Sequence, residues 1–177
     1  VFNEANRILN MKNVRQFGMP VRKEIEEAVM PERPQEATGL KVLVFGGSQG
    51  ARPVNTVVAH FFKQLPIDLQ GRISVVHQTG AYDFERVKEI YADSLSQYEV
   101  HPYLHDMQDR YGWADIIIAR SGTGTLSELA AVGKPAILIP LPTAADDHQQ
   151  KNAEVFENAG AAVIIKQKDF NATTLEQ

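Results

Sequence analysis

Residues 41–52 read KVLVFGGSQGAR, and this short segment indicates the fold class of the chain. Its first part, Lys41–Phe45, is a short run rich in β-branched residues that ends in glycines, which is typical of a buried strand. The glycine-rich segment leads into Arg52–Leu65, where apolar residues recur at helical spacing. A buried strand, a glycine loop and an amphipathic helix in this order predict the opening unit of a parallel α/β sheet.

The same alternation continues to the end of the chain. Short apolar runs predict further strands, and helically spaced runs between them predict further helices. Such βαβ units form a parallel sheet whose ligands bind beyond the carboxyl ends of the strands, so the loops after the first, fourth and fifth strands are the expected functional loops. The further strands are predicted at Ile73–His77, Val100–Leu104, Asp115–Ala119, Pro135–Ile139 and Ala162–Ile165, and the further helices at Phe84–Tyr91, Met107–Trp113, Thr125–Val132 and His148–Asn158.

Composition excludes several classes of protein. The 177 residues carry 18 Lys and Arg against 22 Asp and Glu, and the net charge of −4 argues against a chain whose main ligand is a nucleic-acid backbone. With 44% hydrophobic residues, the chain can bury a full core. The absence of cysteine excludes disulfides and thiolate chemistry. No run approaches the roughly 20 apolar residues that cross a bilayer.

The first part of the chain differs from the rest. It contains a turn at Gly18–Arg22 (GMPVR) and a charged, proline-bearing loop at Pro31–Gln35. We interpret residues 1–38 as the end of a preceding domain and a linker, and residues 39–177 as one ligand-binding domain. The start without an initiator Met favours a piece of a longer protein.

The loop after the first predicted strand contains Gly46, Gly47, Ser48 and Gly50. Glycines let the backbone turn tightly and bring its N–H groups close to a ligand, and the helix that follows begins with a partial positive charge. This combination favours an anion site, most often for phosphate, over a plain strand–helix turn. The loop matches neither the G-x-G-x-x-G dinucleotide fingerprint nor the Walker A pattern.

The same loop also fits the G-x-S-x-G nucleophile elbow of hydrolases. Ser48 would be the nucleophile, and Asp115 and His148 follow in the required chain order. The elbow normally comes after several earlier strands, whereas here it follows the first. A serine hydrolase is therefore the weaker alternative to an anion-binding protein.

The loop after the fourth predicted strand, Arg120–Glu128 (RSGTGTLSE), again combines glycines, small hydroxyls and a helix start. Thr125 and Glu128 have capping-box spacing, in which the carboxylate satisfies a free backbone N–H. The other interpretation is that Glu128 accepts hydrogen bonds from a ribose diol, as carboxylates do in nucleotide sites. Two glycine-rich loops at one sheet edge predict a nucleoside-diphosphate ligand more strongly than either loop alone.

The loop after the fifth predicted strand, Leu141–Gln150 (LPTAADDHQQ), is long and polar. Its Asp-Asp-His segment at 146–148 could suggest a metal, but without a third-ligand geometry structural or helix-start roles are favoured, and no metal site is predicted. Gln149 and Gln150 carry amides that suit sugar hydroxyls, although such a pair is usually solvated surface.

Longer motifs become recognisable together in this chain: GGSQGARPVN at 46–55, HQTG at 77–80, ADIIIARSGTGTLSELAAVGKPAILIPLP at 114–142 and DHQQKNA at 147–153. In these motifs the chain resembles the MurG family of glycosyltransferases, from about Gly18 to its end. The resemblance implies the C-terminal, donor-binding half of a GT-B enzyme. That half is an α/β domain with a Rossmann-like parallel sheet and helices on both faces, and its last helix would be truncated here. The GMPVR segment departs from the family's G-N-P-V-R motif at Met19.

The resemblance also implies roles for residues in all three loops. Ser48 would hold the diphosphate together with a phosphate loop formed by Gly46, Gly47 and Gly50. Glu128 would bind the ribose hydroxyls. The remaining implied contacts are Arg22 near the nucleotide, the Leu104 backbone and Met107 at the uracil, the backbone of Thr123, Gly124 and Thr125 at the phosphates, and Gln149 and Gln150 at the sugar hydroxyls.

The implied reaction is an inverting transfer of N-acetylglucosamine from UDP-N-acetylglucosamine to lipid-linked N-acetylmuramyl-pentapeptide, the step from lipid I to lipid II in peptidoglycan synthesis. Loop amides and a helix N-terminus would stabilise the leaving diphosphate without a tightly bound cofactor, and assistance by a divalent cation stays open. In this family the general base, the acceptor site and the membrane contact belong to the N-terminal domain. We therefore expect this chain to bind the donor without catalysing transfer alone, and the full-length protein to lie peripherally at the cytoplasmic face of the bacterial membrane.

Two other kinds of protein share these features. One is a stand-alone donor subunit that pairs with a separate acceptor subunit, which the linker motif disfavours. The other is a non-catalytic nucleotide-binding module, which would bind UDP or another nucleotide without discriminating between sugars.

Overall fold

One parallel sheet of six strands organises the described part of the chain. The structure, a computed structural model, describes residues 19–28, 30–31, 38–92, 94 and 97–176. All strand pairs are parallel, and the order across the sheet is β3-β2-β1-β4-β5-β6. The strands are β1 (Leu40–Phe45), β2 (Ile73–Gln78), β3 (Gln97–His101), β4 (Ile116–Ala119), β5 (Ala136–Leu138) and β6 (Ala162–Ile164).

Helices connect the strands within the described ranges. No helix there has the length and hydrophobicity needed to cross a membrane. The α-helices are α1 (Lys23–Glu26), α2 (Arg52–Gln64), α3 (Ile67–Gln70), α4 (Phe84–Ala92), α5 (Met107–Trp113), α6 (Thr123–Val132), α7 (His148–Asn158) and α8 (Ala172–Leu175), and short 3₁₀ turns lie at Ala81–Asp83, Ala145–Asp147 and Gln167–Asp169.

The sheet is covered on both faces, because β1 alternates its side chains between two hydrophobic clusters. Leu43 and Phe45 pack into one cluster with α6, whereas Val42 and Val44 pack into the other with α2. Each fully buried aliphatic side chain in such a cluster contributes about 1.5–3 kcal/mol. The prediction of an α/β fold, with a parallel sheet and helices on both faces, is confirmed.

One predicted strand is misplaced. The sequence predicts the third strand at Val100–Leu104, but β3 runs over Gln97–His101 and, among the described strands, pairs with β2 alone. Because β3 is an edge strand, it needs few apolar residues, and its sequence QYEVH lacks the apolar run that marks a buried strand. Pro102, which has no N–H to donate, follows its end.

The start of α6 also differs from the prediction. The helix begins at Thr123 with Gly122 as N-cap, so Thr125 is the third helical residue. A capping box requires the hydroxyl residue at the N-cap. The capping-box interpretation of Thr125 and Glu128 is therefore wrong. The other predicted elements are present with bounds that differ by at most one residue, and α1, α3 and α8 were not predicted.

The strand order reverses between β1 and β4, which is the topological switch point of the sheet. Strands β1, β2 and β3 extend to one side, and β4, β5 and β6 to the other. In this register Phe45 is paired with Ala119, so both strands end at the same level. The loops that leave them are consequently neighbours, at the position where open α/β sheets bind ligands.

Part of the predicted linker packs on the domain. Ile25 in α1 is 2% exposed and belongs to the hydrophobic cluster that α5 and α6 also line. Most of the predicted linker, including residues 1–18 and 32–37, lies outside the described residues. The domain boundary at residue 38 stays a prediction.

Candidate functional site

A cleft opens at the carboxyl edge of the sheet, between the loops that follow β1 and β4. It has a volume of about 460 Å³. The loop after β5 forms a further wall, so the cleft brings together the three loops that the sequence predicts to be functional. Its wall contains Gly46, Gly47 and Gly50 from the first loop, Arg120, Gly122 and Thr125 from the second, and Leu141, Pro142 and Gln149 from the third.

The loop after β1 has a shape that requires glycine. Gly47 and Gly50 have φ angles of 99° and 78°. A Cβ at Gly50 would lie 1.8 Å from the carbonyl oxygen of Thr79, whereas a Cβ at Gly47 would meet no heavy atom within 4 Å. The loop thus packs on one side against the backbone after β2 and leaves its other side open, as an anion site requires. Ser48 is exposed on this loop and does not line the cleft.

Gln78, which the sequence did not single out, joins this loop to the segment predicted to bind the base. Its Nε2 donates to the Gly47 carbonyl oxygen at 2.9 Å, and its Oε1 accepts from the Leu104 backbone N–H at 2.8 Å. Any contact of the Leu104 backbone with a base therefore falls to its carbonyl oxygen. The side chains of Leu104 and Met107 are buried in the core. Gln78 belongs to the HQTG motif at 77–80, to which the sequence analysis assigns no function.

Helix α6 begins at the cleft with an uncapped N-terminus. Its N-cap is Gly122, which has no side chain to bond the first turn. The backbone N–H groups of Thr123, Gly124 and Thr125 have no acceptor one turn earlier within the helix. Free N–H groups and the positive end of the helix dipole together favour a phosphate at this position.

Glu128 lies one turn further along α6. Its Oε1 accepts from Arg22 Nε at 2.9 Å, and its Oε2 accepts from the Tyr111 hydroxyl at 2.8 Å. Burial acts to lower the pKa of Arg22, but the hydrogen bond and charge of Glu128 outweigh it, so that pKa is raised. The structure thus places Arg22 directly beside the carboxylate predicted to bind the ribose, and it adds Tyr111, which the sequence did not indicate.

Arg120 is a buried cation in the wall of the cleft, and it too received no role from the sequence. Its Nη1 donates to the carbonyl oxygens of Ile139 at 3.0 Å and Pro140 at 3.1 Å, and its Nη2 donates to the Gln167 side chain. Burial lowers the pKa of Arg120. The signal was a charge that directly follows the apolar strand β4. These contacts tie the second loop to the third.

The two glutamines of the third loop point to different places. Gln149 lines the cleft, where its Oε1 accepts from the Leu141 backbone N–H at 3.0 Å and its carbonyl oxygen accepts from Ser121 Oγ at 2.9 Å. Gln150 donates to Glu154 Oε1 at 2.9 Å. It lies in a neighbouring hollow of about 240 Å³, whose wall also contains Asp147, Lys166 and Lys168.

The Asp-Asp-His segment lies at the start of α7. Asp146 and Asp147 have φ angles of 51° and 56°, and Asp147 occupies the N-cap position without a capping hydrogen bond. His148 Nδ1 lies 2.7 Å from the Ala145 carbonyl oxygen. Among the described residues, no group of three or more His, Cys, Asp or Glu is placed to hold a metal ion.

The geometry contradicts the hydrolase alternative. Asp115 Oδ2 accepts from the Lys41 backbone N–H at 2.9 Å, at the amino edge of the sheet. Ser48 lies beyond the carboxyl end of β1, so the strand separates the two residues by roughly 16 Å. A catalytic triad needs its members within hydrogen-bond reach of one another. Ser48, His148 and Asp115 therefore do not form one.

Comparison with known proteins agrees with this geometry. Residues 41–177 match the family described as Glycosyltransferase family 28 C-terminal domain. Proteins named UDP-N-acetylglucosamine–N-acetylmuramyl-(pentapeptide) pyrophosphoryl-undecaprenol N-acetylglucosamine transferase are similar over nearly the whole chain. The one from Anaeromyxobacter sp. (strain K) is 42% identical over 98% of this chain and 45% of its own length, and the one from Bdellovibrio bacteriovorus is 42% identical over 99% and 48%. The chain spans about half the length of the curated relatives it matches.

Solved structures support the same assignment. The structure of Acinetobacter baumannii MurG superposes with a TM-score of 0.74 at 36% identity, over 83% of this chain and 44% of that one. The calicheamicin glycosyltransferase CalG4 superposes with a TM-score of 0.60 at 18% identity, over 81% and 34%, which shows a shared fold. The predicted Rossmann-like domain of a GT-B glycosyltransferase is thereby confirmed, and the chain belongs to the family of glycosyltransferase family 28 C-terminal domains.

Proposed function

We propose that this chain binds UDP-N-acetylglucosamine, as the donor half of an inverting glycosyltransferase. The observation that carries the proposal is the cleft at the β1/β4 crossover, where two glycine-rich loops face each other. Two independent anion-binding devices in one cleft suit a diphosphate better than a single phosphate. The names of the relatives supply the nucleotide and the sugar.

The diphosphate would lie between the open side of the first loop and the N-terminus of α6. Gly46, Gly47 and Gly50 would bring backbone groups close to it, with Ser48 at the rim. Thr123, Gly124 and Thr125 would offer their unpaired N–H groups. When the glycosidic bond breaks, negative charge grows on this diphosphate, and fixed N–H dipoles stabilise it without rearranging. No tightly bound cofactor is required, and a divalent cation that enters with the donor would add to the same stabilisation.

The nucleoside would lie on the β2–β3 side of the sheet. Glu128 would accept hydrogen bonds from the ribose hydroxyls, since each carboxylate oxygen keeps a free lone pair beside the one it uses for Arg22 or Tyr111. The Leu104 carbonyl would border the uracil together with the small part of Met107 that reaches the surface, since that residue is 6% exposed. Arg22 would lie beside the nucleoside. The sugar would extend towards the third loop, where Gln149 and Gln150 would read its hydroxyls.

The acceptor would be lipid-linked N-acetylmuramyl-pentapeptide, converted from lipid I to lipid II. Its binding site, the general base and the membrane contact would be supplied by an N-terminal domain of the full-length protein, peripheral at the cytoplasmic face of the bacterial membrane. This chain alone would bind the donor and leave the acceptor untouched.

Calorimetry with four ligands tests the proposal. We expect the chain to bind UDP-N-acetylglucosamine and UDP, to bind UDP-N-acetylgalactosamine more weakly, and to ignore NAD. Equal affinity for the two UDP-sugars would instead favour a nucleotide-binding module without sugar discrimination. A folded chain that binds no UDP ligand would refute the proposal.

A further inference from the structure

A tyrosine outside the cleft holds the carboxylate on which ribose recognition would depend. The Tyr111 hydroxyl donates to Glu128 Oε2 at 2.8 Å, which ties α5 to α6. The Tyr111 ring is fully buried and meets Phe45 edge to face, with ring centroids 6.2 Å apart and planes inclined by 76°. A buried ring in a packed core has one rotamer, so its hydroxyl is a fixed donor.

The opposite side of the same carboxylate has a solvent-exposed partner. Arg22 donates to Glu128 Oε1, but its side chain is 46% exposed, whereas the Glu128 side chain is 17% exposed. A largely exposed arginine adds little stability and can give up its bond to a competing group. Of the two partners, Tyr111 is thus the one that fixes where the carboxylate sits.

We propose that Tyr111 is a positioning residue, which orients the Glu128 carboxylate for two hydrogen bonds from a ribose diol. This inference rests on the proposed function, because it names how the same site holds its nucleotide. Tyr111 acts through Glu128 and not by touching the ligand, since its ring is enclosed in the core. Burial, together with the charge of Glu128, raises the pKa of Tyr111, so the hydroxyl stays protonated and able to donate.

A merely structural tyrosine would behave differently, and the chain offers a matched control. Tyr91 is also fully buried, and its hydroxyl lies 2.9 Å from His77 Nδ1, on the other face of the sheet. Tyr91→Phe and Tyr111→Phe each remove one buried hydroxyl and keep the ring. Only the second removes a donor to the carboxylate predicted to bind ribose.

The test compares binding of UDP with binding of 2′,3′-dideoxy-UDP, which lacks both ribose hydroxyls. For Tyr111→Phe we expect UDP affinity to fall about 5-fold to 20-fold and dideoxy-UDP affinity to stay within about twofold, because a hydrogen bond to a charged group is lost. Tyr91→Phe should change neither affinity, and circular dichroism should show both variants folded.

Each other result has one meaning. Unchanged UDP affinity in Tyr111→Phe, or an equal loss for both ligands, would overturn the positioning role. Equal binding of both ligands by the unsubstituted chain would overturn ribose recognition by Glu128 and the inference with it. If the unsubstituted chain binds neither ligand, the proposed function itself fails.

Discussion

Gly50 and Gly80 pack backbone against backbone, and neither position has room for a side chain. A Cβ at Gly50 would lie 1.8 Å from the Thr79 carbonyl oxygen, and a Cβ at Gly80 would lie 2.0 Å from the Gln49 carbonyl oxygen. Both residues have a φ of 78°. This contact fixes the loop after β1 to the loop after β2, so the proposed phosphate loop is held in place before any ligand arrives.

Gly50→Ala should therefore damage both stability and binding. We expect the free energy of unfolding to fall by about 2–4 kcal/mol, since the backbone must shift and the left-handed conformation disfavours alanine. Urea denaturation measures this, and calorimetry should show weaker UDP binding. Gly71→Ala is the control, because Gly71 has a φ of −69° and its Cβ would meet its nearest atom at 3.9 Å. Equal effects of the two substitutions would contradict the packing argument.

Arg120 allows charge and geometry to be separated. Arg120→Met loses the bonds to Ile139 and Pro140, and Arg120→Lys replaces the planar guanidinium that makes them with a single ammonium group. Each substitution should cost about 1–3 kcal/mol of stability. Only the methionine variant also removes the positive charge from the cleft wall. We expect its UDP affinity to be about 10-fold below that of the lysine variant at low salt. Equal UDP affinities in the two variants would show that Arg120 serves the fold alone.

His77 should make stability depend on pH. Burial, partly opposed by Asp83, lowers the pKa of His77 to about 3 from its ordinary 6.5. Below pH 6.5, His77 therefore binds a proton in the unfolded chain but stays neutral in the folded chain. The free energy of unfolding consequently falls as pH falls. The slope reaches about 1.4 kcal/mol per pH unit. Urea denaturation between pH 5 and pH 7 measures it.

Two histidine substitutions test whether His77 causes this pH dependence. His77→Gln should flatten the dependence on pH, while His60→Gln, at an exposed position on α2, should keep it. Asp83 and Glu99 should not contribute to the slope in this pH range. Their pKa values are lowered in the folded chain, so the stability that they provide is lost only at more acidic pH. A slope that survives in His77→Gln would place the titrating group elsewhere.

The pair of Arg22 and Glu128 should matter more for ligand binding than for folding. Arg22 is about half exposed, so Arg22→Gln should lower the free energy of unfolding by less than about 1 kcal/mol. Glu128→Gln should weaken UDP binding about 10-fold, because the charged acceptor for the ribose is lost. A double-mutant cycle of Arg22→Gln and Glu128→Gln, with UDP affinity as the readout, measures the coupling between the two side chains. Loss of stability above 2 kcal/mol in Arg22→Gln would mean that the pair is structural.

Most strands and helices and the three loops could be predicted from the sequence. Their signals, which are hydrophobic periodicity and clustered glycines, depend only on residues that are close together in the chain. They failed at β3, where an edge strand carries few apolar residues. They also missed Gln78, Tyr111 and Arg120 as parts of the site. Gln78 meets its Gly47 partner across 31 positions of sequence, and Arg120 meets Gln167 across 47. Such partners are set by how the sheet brings loops together, which no short window contains.

The same reason explains the wrong capping box. Thr125 and Glu128 have the spacing of a capping box, but an earlier helix start at Thr123 moves the hydroxyl inside the helix. The carboxylate is then available to Arg22, which lies 106 positions away in the sequence. The spacing of Thr125 and Glu128 fits a capping box, but Glu128 accepts a hydrogen bond from Arg22 instead.

A titration of the ¹⁵N-labelled chain with UDP-N-acetylglucosamine, followed by amide NMR, would show directly whether the two glycine-rich loops bind one donor. We expect the amides of residues 46–51 and 122–125 to shift together and to saturate at one ligand concentration, because both loops would hold the same diphosphate. Shifts confined to one loop, or to residues outside the cleft, would contradict a donor site built from the two glycine-rich loops.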